Sequence, residues 1–164
     1  MNKYQIVLVI LLMLIVVQFA YYYPKLPETI ASHFDGAGNP NGCMSKSGFF
    51  MTYALIVILI MTAYLLLPKL ISRIPAQLIN LPNKDYWLAP ERREEAFQKI
   101  QDFTTEFSDA LLVFLITVMQ LVFKANLSKK IILSSAMPYL LIAFFAYTIL
   151  WLLRFFRTFK SARP

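Results

Sequence analysis

Four long apolar runs divide the chain, separated by two polar connections and one short polar turn. The first occupies about Tyr4 to Tyr23 and centres on "IVLVILLMLIVVQFA". The second, Phe49 to Pro68, contains no charged residue. The third, Ala110 to Phe123, is short, and the fourth, Ile131 to Phe156, is long enough to cross a bilayer with tilt. A crossing helix needs roughly 20 apolar residues. The third run reaches that length only by drawing on the segment before it, which carries Asp109. The pattern predicts an all-α integral membrane protein with four transmembrane helices. Pro138 is expected to kink the fourth near its start. The first run ends in "YYYP" rather than a small-x-small cleavage site, so it reads as a retained anchor. Tyr21, Tyr22 and Tyr23 then form an aromatic belt at the interface.

Between the second and third runs the pattern changes. Residues 69–108, with Pro75, Pro82 and Pro90, begin as a loop along the membrane surface, where Tyr86 and Trp87 suit the interface. From Pro90 the spacing becomes helical. Proline is tolerated at a helix's first position, and Glu91, Glu94 and Glu95 favour the positive end of its dipole. Phe97, Ile100, Phe103 and Phe107 recur every three or four residues and make one apolar stripe. Glu95 and Lys99 form an i,i+4 pair worth about 0.2–0.5 kcal/mol. No Gly or Pro interrupts Glu91 to Phe123, which predicts one long helix, extramembranous at its start and spanning at its end. Residues 109–156 then form a helical hairpin.

Composition agrees. Of 164 residues, 59% are hydrophobic and 15% charged, where soluble domains carry about 25% charged. The net charge of +7 does not indicate nucleic acid, because the Lys and Arg sit at the ends of apolar runs, where they anchor to lipid headgroups. Four crossings place eleven basic residues, including Lys3 and Arg163, on the face of the long connection, against five on the other. The positive-inside rule thus predicts cytoplasmic termini and an outward-facing loop 24–48.

That loop concentrates the chain's unusual chemistry: its one His, its one Cys and all four Gly. His33, Asp35 and Cys43 offer the groups of a nucleophile set, but without any supporting local context. Asp35, Asn39, Asn41 and Gly42 faintly match a calcium loop, yet registering Gly42 on the required glycine puts Ala37 at the first ligand position. The reading is a non-enzymatic protein with no metal and no cofactor. Gly36, Gly38, Asn39, Asn41 and Gly42 predict a compact, turn-rich loop, and "LPETIASHF" a short interfacial segment with Ile30 and Phe34 facing the membrane. A lone Cys excludes an internal disulfide. "NLS" at Asn126 matches a glycosylation acceptor pattern that is too frequent by chance to carry weight. "PERREE" is a solvated helix start or a docking site, with Tyr86, Trp87, Glu91, Arg92 and Arg93 as the partner surface.

Residues 12–60, above all "LPETIASHFDGAGNPNGCMSKSGFF", resemble the bacterial membrane family called domain of unknown function 1648. The matching positions are Leu26, Pro27, Ile30, His33, Phe34, Gly38, Pro40, Gly42, Ser45 and Lys46; Asn41 and Cys43 depart from the family pattern. "NLPNKDYWLAPERREEAF" extends the resemblance through Phe97. The resemblance implies an inner-membrane location, and SdpI-type immunity proteins, which carry the same domain, suggest protection against a secreted peptide. Candidate binding residues are then Pro27, His33, Phe34, Asp35, Gly38, Pro40, Gly42 and Lys46. The lipid bilayer is the expected partner, with a peptide or another membrane protein beside it. A small transporter, or an accessory subunit of a larger complex, is the alternative reading.

Overall fold

The computed structural model describes residues 3–160. The side chains of residues 3–5 and 68, and all of Arg163, lie outside the described residues, so the basic count at the termini is described only in part. Helix α1 (Lys3–Tyr22) leads into a two-stranded antiparallel hairpin, β1 (Thr29–Phe34) and β2 (Pro40–Ser45). Helix α2 (Lys46–Arg73) follows, then a 3-10 turn (Ala76–Leu78) and the short α3 (Lys84–Trp87). Helices α4 (Arg93–Leu127) and α5 (Ala136–Lys160) complete the chain's order of elements. Among the described residues three helices, α2, α4 and α5, are long and apolar enough to cross a membrane; the described part of α1, Ile6–Tyr22, is a shorter apolar helix. Large apolar side chains point outward from them, among them Met13 (60% exposed) and Ile142 (65%). Such faces would be a liability in water and are suited to acyl chains.

The all-α expectation is amended by the hairpin. "TIASHF" is a strand through its pairing with β2 rather than through alternation: the adjacent Ile30 and Ala31 are both buried, while His33 is exposed. Several helix boundaries have a local cause. Ser45 caps α2, its hydroxyl accepting from the Gly48 amide at 3.2 Å. A Cβ on Gly48 would lie 2.9 Å from that hydroxyl, so any larger residue there would make the Ser45 side chain shift out of its capping position. Helix α2 continues past the expected stop at position 68 as far as Arg73. Helix α4 begins three residues after Pro90, because the amides of Arg92 and Arg93 both turn back to the Ala89 carbonyl. Pro138 falls in the first turn of α5, where its missing N–H has no intrahelical acceptor to lose.

Two cores organise the helices. In the first, Phe123 is fully buried and stacks on Phe50 (5.4 Å between centroids, 10°) and on Tyr22 (4.8 Å, 28°), with Phe49 edge-on. This cluster joins α1, α2 and α4 directly beneath the hairpin, and each such ring pair adds about 0.5–1.5 kcal/mol beyond its buried area. Tyr22, expected in an interfacial belt, is instead a core residue, while Tyr21 and Tyr23 stay exposed. Below it, Gln18 donates to the Ile116 carbonyl (3.1 Å) and to Gln120 (3.1 Å), and accepts from Tyr53 (2.9 Å). Gln120 in turn donates to the Tyr22 hydroxyl at 2.6 Å.

The second core holds the connection against the other end of the bundle. Trp87 is buried rather than interfacial; its indole N–H donates to the Phe159 carbonyl at 2.8 Å and its ring meets Phe159 at 5.3 Å. Asn83, in the left-handed conformation (φ 50°), donates to the Lys160 carbonyl at 2.8 Å. These bonds satisfy carbonyls left free at the end of α5. The stripe on α4 packs here and along α5: Ile100 is buried beside Trp87, Phe103 meets Phe155 and Trp151, and Phe107 meets Trp151. Glu106 pairs with Arg154 and accepts from the Tyr147 hydroxyl at 3.3 Å.

Asn126, one turn beyond Val122 on α4, ties the hairpin to the bundle. Its amide oxygen accepts from the Ala31 amide (2.8 Å) and its Nδ2 donates to the Ala31 carbonyl (3.0 Å), so a side chain pairs with the outer edge of β1 as a third strand would. Asn126 is only 6% exposed, which leaves no room for a glycan. Replacing Asn126 by Leu strands both Ala31 groups and is expected to cost about 1–3 kcal/mol. Thermal unfolding in detergent checks the loss, and hydrogen exchange at Ala31 should rise more than exchange at β2.

Candidate functional site

The hairpin is shaped by its tip. Asp35 accepts through Oδ1 from the amides of Ala37 (2.9 Å) and Asn39 (2.8 Å), and through Oδ2 from the Asn39 side chain (3.3 Å). The strands close with the Asp35 amide donating to the Asn39 carbonyl at 2.9 Å. Gly38 then adopts φ 84°, a conformation that costs glycine little. A Cβ there would also sit 2.9 Å from the Leu133 carbonyl. The Gly38 carbonyl accepts from the Leu133 amide at 2.9 Å, which holds the two backbones at this close approach. The hairpin tip is thereby docked on the turn between α4 and α5.

The register is irregular on both sides of His33, which faces Gly42. A Cβ at Gly42 would lie 2.9 Å from the His33 Cβ, so the bulge leaves space for glycine only. His33 itself points into solvent, as does the free thiol of Cys43. Pro40 begins β2 opposite Phe34, a position where a strand can lack a donor. At the base, the buried Lys46 ammonium donates to the Leu26 carbonyl (3.3 Å) and pairs with Glu28 (2.7 Å). It also lies 5.0 Å from the centre of the Tyr23 ring. Glu28 is 88% exposed, so the pair contributes little, and the backbone bond from a buried cation is the larger constraint. Pro27 is exposed beside it.

A cleft of about 890 Å³ opens between the tip and the α4–α5 turn. Phe34, Asp35 and Gly38 line one wall; Leu133, Met137 and Tyr139 line the other. Of the eight loop residues singled out in the sequence, three border this cleft. Lys46, Gly42 and Pro40 instead shape the ribbon, and His33 and Pro27 lie on its exposed surface. Asn126, which clamps the ribbon, and Tyr139, 74% exposed beside the cleft, carried no usable signal in the sequence. The second predicted surface is divided as well. Glu91 and Arg92 are exposed, with the Arg92 guanidinium 4.0 Å from the centre of the Tyr86 ring. Trp87 is spent on Phe159, and Arg93 reaches back to the Ser72 and Ile74 carbonyls (3.4 Å each).

Residues 8–57 match the family model described as a domain of unknown function (DUF1648). The matched stretch runs from α1 through the whole hairpin into α2. No curated protein and no solved structure matches the chain.

The Asp35 carboxyl is held below its ordinary value of 3.8, chiefly by the Asn39 amide and further by the Asn39 side chain and the Ala37 and Gly38 amides. A carboxylate depressed by folding stabilises the tip above its unfolded pKa, and that contribution is lost as pH falls through the folded value. Chemical shifts of the Ala37 and Asn39 amides should therefore stay constant at neutral pH and change only below about pH 4. Asp35→Asn, which keeps an acceptor, should retain the turn better than Asp35→Ala, and should abolish the acid transition.

Proposed function

We propose that this chain is a four-span inner-membrane protein with both termini cytoplasmic, acting as a non-enzymatic binding module of the immunity type. The cleft between the hairpin tip and the α4–α5 turn takes a secreted peptide at the outer face. The observation that carries this reading is the composition of that cleft. Its walls combine apolar Phe34, Leu133, Met137 and Tyr139 with the exposed carboxylate of Asp35. Such a lining suits an amphipathic peptide with a cationic group better than a small polar solute. The family match supports the same region as the working part, since it covers the hairpin. SdpI-type immunity proteins supply the analogy for the role.

A transport or accessory role is the second reading, favoured by polar groups inside the helices. Gln18, Gln120, Tyr22 and Tyr53 form one connected set. Asp109 is 9% exposed and its Oδ1 lacks a hydrogen-bond partner. Intramembrane acids of this kind often mark ion pathways.

Deleting the gene should sensitise cells to at least one secreted peptide from neighbouring strains. Complementation with the native chain should restore protection, and complementation with Phe34→Ser or Tyr139→Asp should not. Unchanged sensitivity across the panel, together with altered ion or solute uptake, would favour the second reading. Orientation is tested through Cys43: an impermeant maleimide should label it in intact spheroplasts, and labelling only after permeabilisation overturns the outward placement of the hairpin.

A further inference from the structure

At the end of the bundle opposite the hairpin, a second cleft of about 750 Å³ separates α2 from the start of α4. Its lining includes Tyr64, Leu65 and Lys69 from α2, and Arg93, Glu94 and Phe97 from α4. The two helices run in opposite directions, which makes their sequence order informative. On α2, Lys69 lies one turn beyond Leu65 toward the connection; on α4, Arg93 lies one turn beyond Phe97 in that same direction. Both walls thus place an apolar residue one turn to the bilayer side of a cation, with the amides of Gln98 and Gln101 following Phe97 on α4. The level is that of a membrane boundary, because the uncharged run of α2 stops immediately before Lys69.

Among the described residues the ion pairs are Lys46–Glu28, Lys99–Glu95 and Arg154–Glu106, and neither Lys69 nor Arg93 belongs to one. Arg93 is oriented rather than paired: it reaches the Ser72 and Ile74 carbonyls at 3.4 Å and lies 5.3 Å from the centre of the Phe97 ring. Glu94 supplies one opposing charge, leaving the lining net positive. A free anion would use the cations but not Tyr64, Leu65 and Phe97. A neutral lipid would use the apolar wall but not the uncompensated charge. We propose that this cleft holds one anionic phospholipid, with its phosphate between Lys69 and Arg93 and an acyl chain along Leu65, Tyr64 and Phe97.

The test uses the full chain in detergent, titrated with phosphatidylglycerol or phosphatidylcholine and read by native mass spectrometry. Phosphatidylglycerol should be retained preferentially, and inorganic phosphate at millimolar concentration should not displace it. Lys69→Gln alone, an exposed change outside any ion pair, should weaken phosphatidylglycerol binding about fivefold, and Lys69→Gln/Arg93→Gln more strongly. Lys69→Arg should keep the affinity. The control Lys129→Gln/Lys130→Gln, at the other end of the molecule, should leave binding unchanged. Equal retention of the two lipids overturns the proposal, and displacement by phosphate reduces the cleft to a free-anion site. A loss in the control as large as in Lys69→Gln would also overturn it, because only net charge would then be involved.

Discussion

The pairing of the Asn126 amide with the Ala31 backbone is the constraint on which the hairpin end depends. A two-stranded ribbon is marginal by itself, and its outer edges expose unpaired donors and acceptors. Here the buried edge of β1 is closed by a side chain projecting from α4, which in the same turn is fixed by Phe123. Ile30 is fully buried in the core built around that ring. The ribbon is therefore an extension of the helical core rather than an appended loop. The opposite, solvent-facing part of the ribbon, with His33 and Cys43, is free of these demands.

Helix α4 touches α1, α2, α3, α5 and β1. Polar side chains on it are placed accordingly: Gln120 toward α1, Glu106 toward α5 and Asn126 toward the ribbon. In a bilayer such groups find no water, so partners within the protein decide where they are tolerated. The individual bonds are modest, about 0.6 kcal/mol on average for interhelical pairs in one membrane protein. Their value lies in fixing helix rotation, since an apolar surface facing lipid sets no preference of its own.

The helices were legible in the sequence because hydrophobic length is a strong signal and the bilayer enforces it. The long α4 followed from its uninterrupted spacing. Its start was displaced by three residues because a local turn to the Ala89 carbonyl competes with proline's suitability as a first residue. The ribbon was missed for a different reason. "TIASHF" and "PNGCMS" show little alternation, and what stabilises them is a contact with a residue about 95 positions away. Trp87 illustrates the same limit: aromatic rings favour interfaces and cores alike, and only the Phe159 carbonyl distinguishes the two here. The glycine positions carried more information than the chemically conspicuous His and Cys. Gly38, Gly42 and Gly48 each occupy a place where a methyl group would collide with a neighbouring atom.

With 35 residues at 1.5 Å each, α4 is about 52 Å long, well beyond a hydrocarbon layer of about 30 Å. One stiff rod therefore bears the ribbon clamp near one end and, through Ile100 and Phe103, the aromatic packing of the connection near the other. For such a rod, pivoting about its middle, a tilt of a few degrees moves each end by an ångström or two in opposite senses. A tilt of this one element would therefore move the ribbon clamp and the aromatic packing of the connection together, without any change in its internal hydrogen bonding.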